Sequence, residues 1–220
     1  MKNLNQLIIK FDYDQNFKDD DFYVGKSNYY PFEIINNWPK WEKNFLNISG
    51  EKFSGKTHLT NIFLKKFNGI KIESDLLNDE NLKAIKPHQN VVLENLNSEV
   101  NEKLIYSLFN IIDQDNKFLI ITSLEPITEI NFQLTDLKSR TKNCLLAKIE
   151  NPDDELMFAL ILKNLSDRQI TLDKKLIDFI IKRVERSYGK IFEFIYKIDK
   201  ISLKKKKSID FKIINEALES

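Results

Sequence analysis

The clearest chemistry in this 220-residue chain lies in eight consecutive residues, Gly50-Glu51-Lys52-Phe53-Ser54-Gly55-Lys56-Thr57. Gly-x-x-x-x-Gly-Lys-Thr is a phosphate-binding loop pattern. Its glycines let the backbone turn tightly and aim successive N–H groups at a phosphate, and the helix that follows adds partial positive charge at its N-terminus. Gly50, Phe53, Ser54, Gly55 and the adjoining His58 are therefore candidate nucleotide contacts. Lys56 is spaced to reach the terminal phosphates, and the Thr57 hydroxyl is spaced to ligate Mg²⁺. A second oxygen donor comes from Glu94, which ends the apolar run Asn90-Val91-Val92-Leu93. A carboxylate at the C-terminal end of a parallel strand lies beside such a loop, which makes Glu94 a candidate metal ligand. A helix-capping acid is the alternative for Glu94.

These groups need elements to hold them. Asn44-Phe45-Leu46-Asn47-Ile48 reads as a short strand ahead of the loop, and residues 59–67 carry apolar side chains at helical spacing behind it. Upstream, Phe22, Tyr23 and Val24 sit in a turn with Asn28, and such a turn offers an apolar slot for a purine ring or simply packs in the core. A helix is predicted over 29–38, stopped at Pro39. Further strands are predicted over 70–73, 90–95, 118–123 and 144–149, with helices over 75–85 and 98–112. A short helix is predicted just ahead of 137–140. Strands alternating with helices imply an α/β fold built on a parallel sheet with right-handed crossovers. From residue 151 the pattern is helical throughout, with helices over 156–165, 173–183, 190–203 and 210–218. The expected organisation is therefore an N-terminal arm at 1–16, an α/β nucleotide-binding domain at 17–150 and a small helical lid at 151–220.

Bulk properties narrow the class. With 34 basic and 33 acidic residues the net charge is +1, so no global field draws the chain to nucleic acid. The hydrophobic content of 42% is enough for a packed core. One cysteine, Cys144, excludes a disulfide framework and fits a reducing, cytoplasmic setting. No apolar run reaches membrane-spanning length, so no membrane partner is expected.

In this order the motifs resemble the AAA+ ATPases, and within them the DnaA-like family, with the Hda branch nearest. Phe22-Tyr23-Val24-Gly25-Lys26-Ser27-Asn28 is similar to that family's adenine-recognition segment. Gly55-Lys56-Thr57-His58-Leu59 is similar to its loop ending, and Asn151-Pro152-Asp153-Asp154-Glu155 to the entry of its lid. The resemblance implies a five-stranded AAA+ sheet with a helical lid, ADP or ATP with Mg²⁺ as ligands, and Arg140, in Leu137-Lys138-Ser139-Arg140, as an arginine finger acting in trans. It implies Lys190 in the second-sensor position and Ser123 or Thr122 as first sensor. It also implies that Gln6, Leu7, Ile9 and Phe11 bind the DNA polymerase sliding clamp, which would bring DNA near only indirectly. Glu94-Asn95 in place of two acids, and Asp136 ahead of Leu137, are the features that resemble Hda. Three positions depart from the family pattern: Phe53 replaces a glycine, Leu124-Glu125-Pro126 replaces Asp-Arg-Pro, and Lys190 replaces an arginine, which loses bidentate phosphate geometry.

The function implied is a regulator of replication initiation that, with the DNA-loaded clamp, stimulates hydrolysis of ATP bound to the DnaA initiator. Asn95 cannot serve as a general base, so intrinsic hydrolysis is expected to be weak. The alternatives are a self-sufficient ATPase, such as a helicase loader or a DnaA-like initiation factor, and a nucleotide-independent adaptor whose loop Phe53 has spoiled. Self-association through AAA+ interfaces is compatible with each.

Overall fold

A computed structural model describes residues 22–219. The clamp-docking expectation on Gln6, Leu7, Ile9 and Phe11 lies outside them. Five strands, β1 (Phe45–Ser49), β2 (Ile70–Glu73), β3 (Asn90–Leu96), β4 (Phe118–Ser123) and β5 (Leu145–Lys148), form one parallel sheet in the order β2-β3-β4-β1-β5. The three central strands, β3, β4 and β1, are buried along nearly their whole length because both faces of the sheet are covered there. Alternate side chains serve the two covers. Phe45, Val91, Leu93, Leu119 and Ile121 join one core, together with Ile105, Leu108, Phe109 and Ile112 of α4 (Glu102–Gln114). Leu46, Ile48, Val92, Ile120 and Ala147 face the other way. They meet Ile35 of α1 (Tyr29–Asn36) and Leu59 and Phe63 of α2 (Lys56–Phe67). That alternation is the period of two that a strand imposes.

Two local expectations change. The stretch 75–85 is not one helix: a 3-10 turn, Ser74–Leu76, is followed by an extended Leu77, and Asn78 then caps α3 (Asp79–Ala84) by accepting from Asn81 N. The short helix predicted ahead of 137–140 instead contains those residues, as α5 (Thr135–Thr141).

Helices α6 (Asp154–Asp167), α7 (Lys174–Ile181), α8 (Tyr188–Lys205) and α9 (Phe211–Glu219) pack around a core of their own that includes Met157, Ile161, Ile177, Ile195, Ile198 and Ile214. Asp153, Asp173 and Ser187 cap α6, α7 and α8, each accepting a backbone N–H three residues on. Leu156 and Tyr188 face away from that core and join the one above the sheet. Among the described residues no helix is long and apolar enough to cross a membrane.

Candidate nucleotide-binding site

The loop leaves central strand β1 and turns directly into α2. Gly55, in the left-handed region at φ 96°, caps α2, and a Cβ there would sit 3.0 Å from the Phe22 ring. A glycine is therefore needed for both conformation and space. Phe53 also lies in the left-handed region, at φ 69°, although it is not a glycine. Its ring stacks on Phe192 of α8, with centroids 4.5 Å apart and planes 12° from parallel. The stack offsets part of the backbone strain that an L side chain carries there.

Lys56 is buried, and its Nζ donates to the carbonyls of Gly50 at 2.7 Å and Glu51 at 2.8 Å. Burial draws its pKa down to about 8, against the opposing pull of Glu94 and Glu51. Glu94 is fully buried, yet three hydroxyls donate to it. Thr57 Oγ1 reaches its Oε2 at 2.9 Å and Thr122 Oγ1 reaches the same oxygen at 3.0 Å, while Thr60 Oγ1 donates to Oε1. A buried carboxylate holding this many donors is the satisfied form of an otherwise costly group.

The position of Glu94 follows from an irregularity in the sheet. Between Leu93 and Leu96 the register of β3 against β4 shifts, and Asn95 adopts the left-handed region at φ 59°. Asn95 N donates to Thr122 Oγ1 at 2.9 Å, and its Nδ2 donates to Glu73 Oε2 at 2.9 Å. Such a bulge re-aims side chains at the end of a strand. Here Glu94 turns toward Thr57 while Asn95 faces the cleft.

The cleft between the loop and helices α6 and α8 encloses about 390 Å³, within the range of small-ligand sites. It is lined by Phe22, Tyr23, Asn28, Phe53, Ser54, Gly55, Lys56, Thr57 and His58, all expected from sequence. Phe22 stacks on Phe32 at 6.0 Å and meets the His58 ring edge-on at 5.2 Å. The Asn28 side chain fixes the turn, accepting from Gly25 N and donating to the Tyr23 carbonyl. Sequence reasoning missed the wall supplied by the helical segment. Leu156, Ala159, Leu160, Lys163, Asn164 and Asp167 line the cleft from one face of α6, and Tyr188, Ile191 and Phe192 line it from α8. The i, i+3, i+4 spacing of the α6 stripe was the available signal.

Other expected residues stand outside the lining. Val24 and Gly50 are not part of it, nor is Lys190, whose exposed Nζ pairs with Glu193 at 3.1 Å. The Ser123 hydroxyl is buried; it accepts from Asn47 Nδ2 at 2.9 Å and donates to the Glu125 carbonyl at 2.5 Å. Arg140 lies on α5. Its guanidinium pairs with Asp113 at 2.5 Å and stacks 5.2 Å above the Tyr106 ring.

No protein-family model matches the sequence. An uncharacterized protein of Haemophilus influenzae is 25% identical over 187 residues, covering 79% of this chain and 81% of that protein. The chromosomal replication initiator DnaA of Caldanaerobacter subterraneus is 24% identical over 225 residues, covering 90% of this chain and 51% of that one. The chain thus spans about half the length of that DnaA. Among solved structures, domain III of Thermotoga maritima DnaA superposes with a TM-score of 0.73 at 19% identity, covering 92% of this chain and 95% of that one. AMPPCP-bound DnaA from Aquifex aeolicus gives 0.64 at 20%, covering 83% and 65%. The five-stranded parallel sheet flanked by helices matches the AAA+ fold of DnaA domain III, and in sequence the chain is similar to DnaA over about half of that protein's length.

Proposed function

We propose that the chain binds an adenine nucleotide, ADP or ATP, in this cleft. The observation that carries the reading is the meeting of Lys56, Thr57 and the loop with an apolar wall of Phe22, Tyr23 and Leu156 in one cavity. Phosphates fit the first group, where loop amides, the α2 N-terminus and an ammonium concentrate positive charge. A flat apolar base fits the second. Thr57, in the cleft lining, and Glu94, buried behind it with Oε2 2.9 Å from Thr57 Oγ1, are the hard oxygen donors that suit Mg²⁺. When bound, the ion supplies neutralisation of phosphate charge.

The reading extends to a regulator of chromosomal replication initiation acting on DnaA. Likeness to DnaA domain III supports it, and so does Arg140, whose partly exposed side chain is held by surface contacts worth little energy. Against a neighbouring DnaA, the guanidinium exchanges Asp113 for the phosphates of DnaA-bound ATP, a role in which arginine fingers contribute ~10³-fold or more. The sliding clamp, engaged by Gln6, Leu7, Ile9 and Phe11, brings the two proteins together on DNA. With DnaA, clamp and DNA present, the chain is expected to accelerate hydrolysis of DnaA-bound ATP and Arg140→Ala to lose most of that effect. Equal stimulation by the variant overturns the mechanism. Calorimetry with ADP tests the binding itself, which Lys56→Ala should abolish.

One observation favours a second reading. The paired Thr57 and Glu94 oxygens fit an enzyme that hydrolyses ATP by itself, such as a helicase loader or DnaA-like initiation factor. That reading requires steady turnover by the chain alone, lost in Glu94→Gln.

A further inference from the structure

The phosphate loop holds the helical segment with its own side chains. Glu51 is the second residue of the loop, and its carboxylate sits on the N-terminus of α8. Oε1 accepts from Ser187 Oγ at 2.5 Å and from Gly189 N at 3.1 Å, and Oε2 accepts from Tyr188 N at 3.0 Å. A carboxylate there meets both unpaired amides and the positive end of an 18-residue helix. Gly189 leaves the room for it, since a Cβ would sit 3.0 Å from Glu51 Oε1. One turn further along α8, Phe192 stacks on Phe53 of the same loop. Tyr188 adds a third tie, its hydroxyl donating to the Glu150 carbonyl at 3.0 Å. Tyr188 and Phe192 both line the cleft, so the loop contacts set where that wall stands.

We infer that Glu51 and Phe53 are positioning residues that clamp α8 over the cleft and set how fast a nucleotide enters and leaves. The inference rests on the nucleotide-binding reading above. The loop that takes the phosphates and the wall that covers the ligand are one mechanical unit, because both contacts originate inside the Gly50–Thr57 loop. A ligand escapes when α8 lifts, and α8 lifts when the Glu51 bonds, the Phe53 stack and the Tyr188 bond to Glu150 open together. Phe53 thereby has a reason to occupy a backbone conformation that favours glycine: a glycine there would have no side chain to stack on Phe192.

The test is stopped-flow release of a fluorescent ADP analogue, chased with excess ADP, from wild type, Glu51→Ala, Phe53→Gly and Lys200→Ala. Phe53→Gly suits the left-handed backbone and spares the loop's fold, whereas Lys200 is an exposed control on the same helix. Release is expected to quicken by about tenfold or more in Glu51→Ala, which loses bonds to a charged group, and by about two- to tenfold in Phe53→Gly, which loses one aromatic stack. Association is expected to quicken as well, a change that a merely weakened site would not produce. The control should match wild type. Unchanged release and association in both variants, with ADP still bound, overturn the clamp and leave the nucleotide site standing. Wild-type protein that binds no ADP overturns both.

Discussion

Burial gives Lys56 an ammonium that is easier to deprotonate than usual, with a pKa of about 8. Pairing with phosphate favours the charged form, so binding raises the pKa again. Below pH 8 the lysine is already charged and ADP affinity is flat with respect to this group. Above pH 8 the protein must take up a proton to bind, and affinity falls by up to about tenfold per pH unit. Calorimetry at pH 9 in buffers of different ionisation enthalpy should detect that proton, and Lys56→Arg should abolish the uptake if it still binds. Asn95 is the second decisive residue. Its amide is tied to Glu73, so a second carboxylate beside Glu94 comes from β2, where Asn95 supplies none. Asn95→Asp alone would set two carboxylates against each other, which favours protonation of one of them. The exchange Asn95→Asp with Glu73→Asn restores one acid and one amide, and phosphate-release assays should show it hydrolysing ATP faster than wild type or either single variant. No gain in the exchanged protein would mean that Asn95 is not what restrains hydrolysis.

At the scale of elements, the caps of the helical segment have a separable role. Asp173 accepts from Leu176 N at 2.9 Å at the start of α7, and Asp173 is outside the cleft lining. Asp173→Ala should cost about 1 kcal/mol and lower Tm by roughly 2–4 °C while leaving ADP affinity unchanged. A change in affinity would tie α7 to the site. The strands and the loop were legible in sequence because their signals are local: apolar runs for buried strands and fixed glycine spacing for the phosphate turn. The α6 stripe from Leu156 to Asp167 was legible in principle from its helical spacing, but that spacing does not say which cavity it faces. The tie from Glu51 to Ser187 had no local signal, since 136 positions separate the partners. The Asn95 bulge was equally hidden, because nothing in Val92-Leu93-Glu94-Asn95 marks a strand about to take up an extra residue.

At the scale of the whole molecule, the sheet cores and the core of α6–α9 are distinct, and the two parts meet through a narrow set of contacts. Leu156 and Tyr188 pack over the sheet, Glu51 caps α8, and Phe53 stacks on Phe192. A core of its own lets a segment open as a unit at less than the global unfolding free energy. A ligand in the cleft touches both parts and is released when they separate, so it stabilises the closed arrangement by mass action. Hydrogen exchange should therefore show the buried amides of α8 opening more readily than those of β1, β3 and β4 in the free chain. ADP at a hundred times its Kd should slow exchange at Tyr188, Gly189 and Ile191 by about a hundredfold, equivalent to roughly 2.7 kcal/mol. The amides at the centre of β3 should respond less, because they need no separation of the two parts to stay protected. Protection rising equally across sheet and helices would instead mean that the chain opens only as one body, and release would then report global unfolding instead of movement of α8.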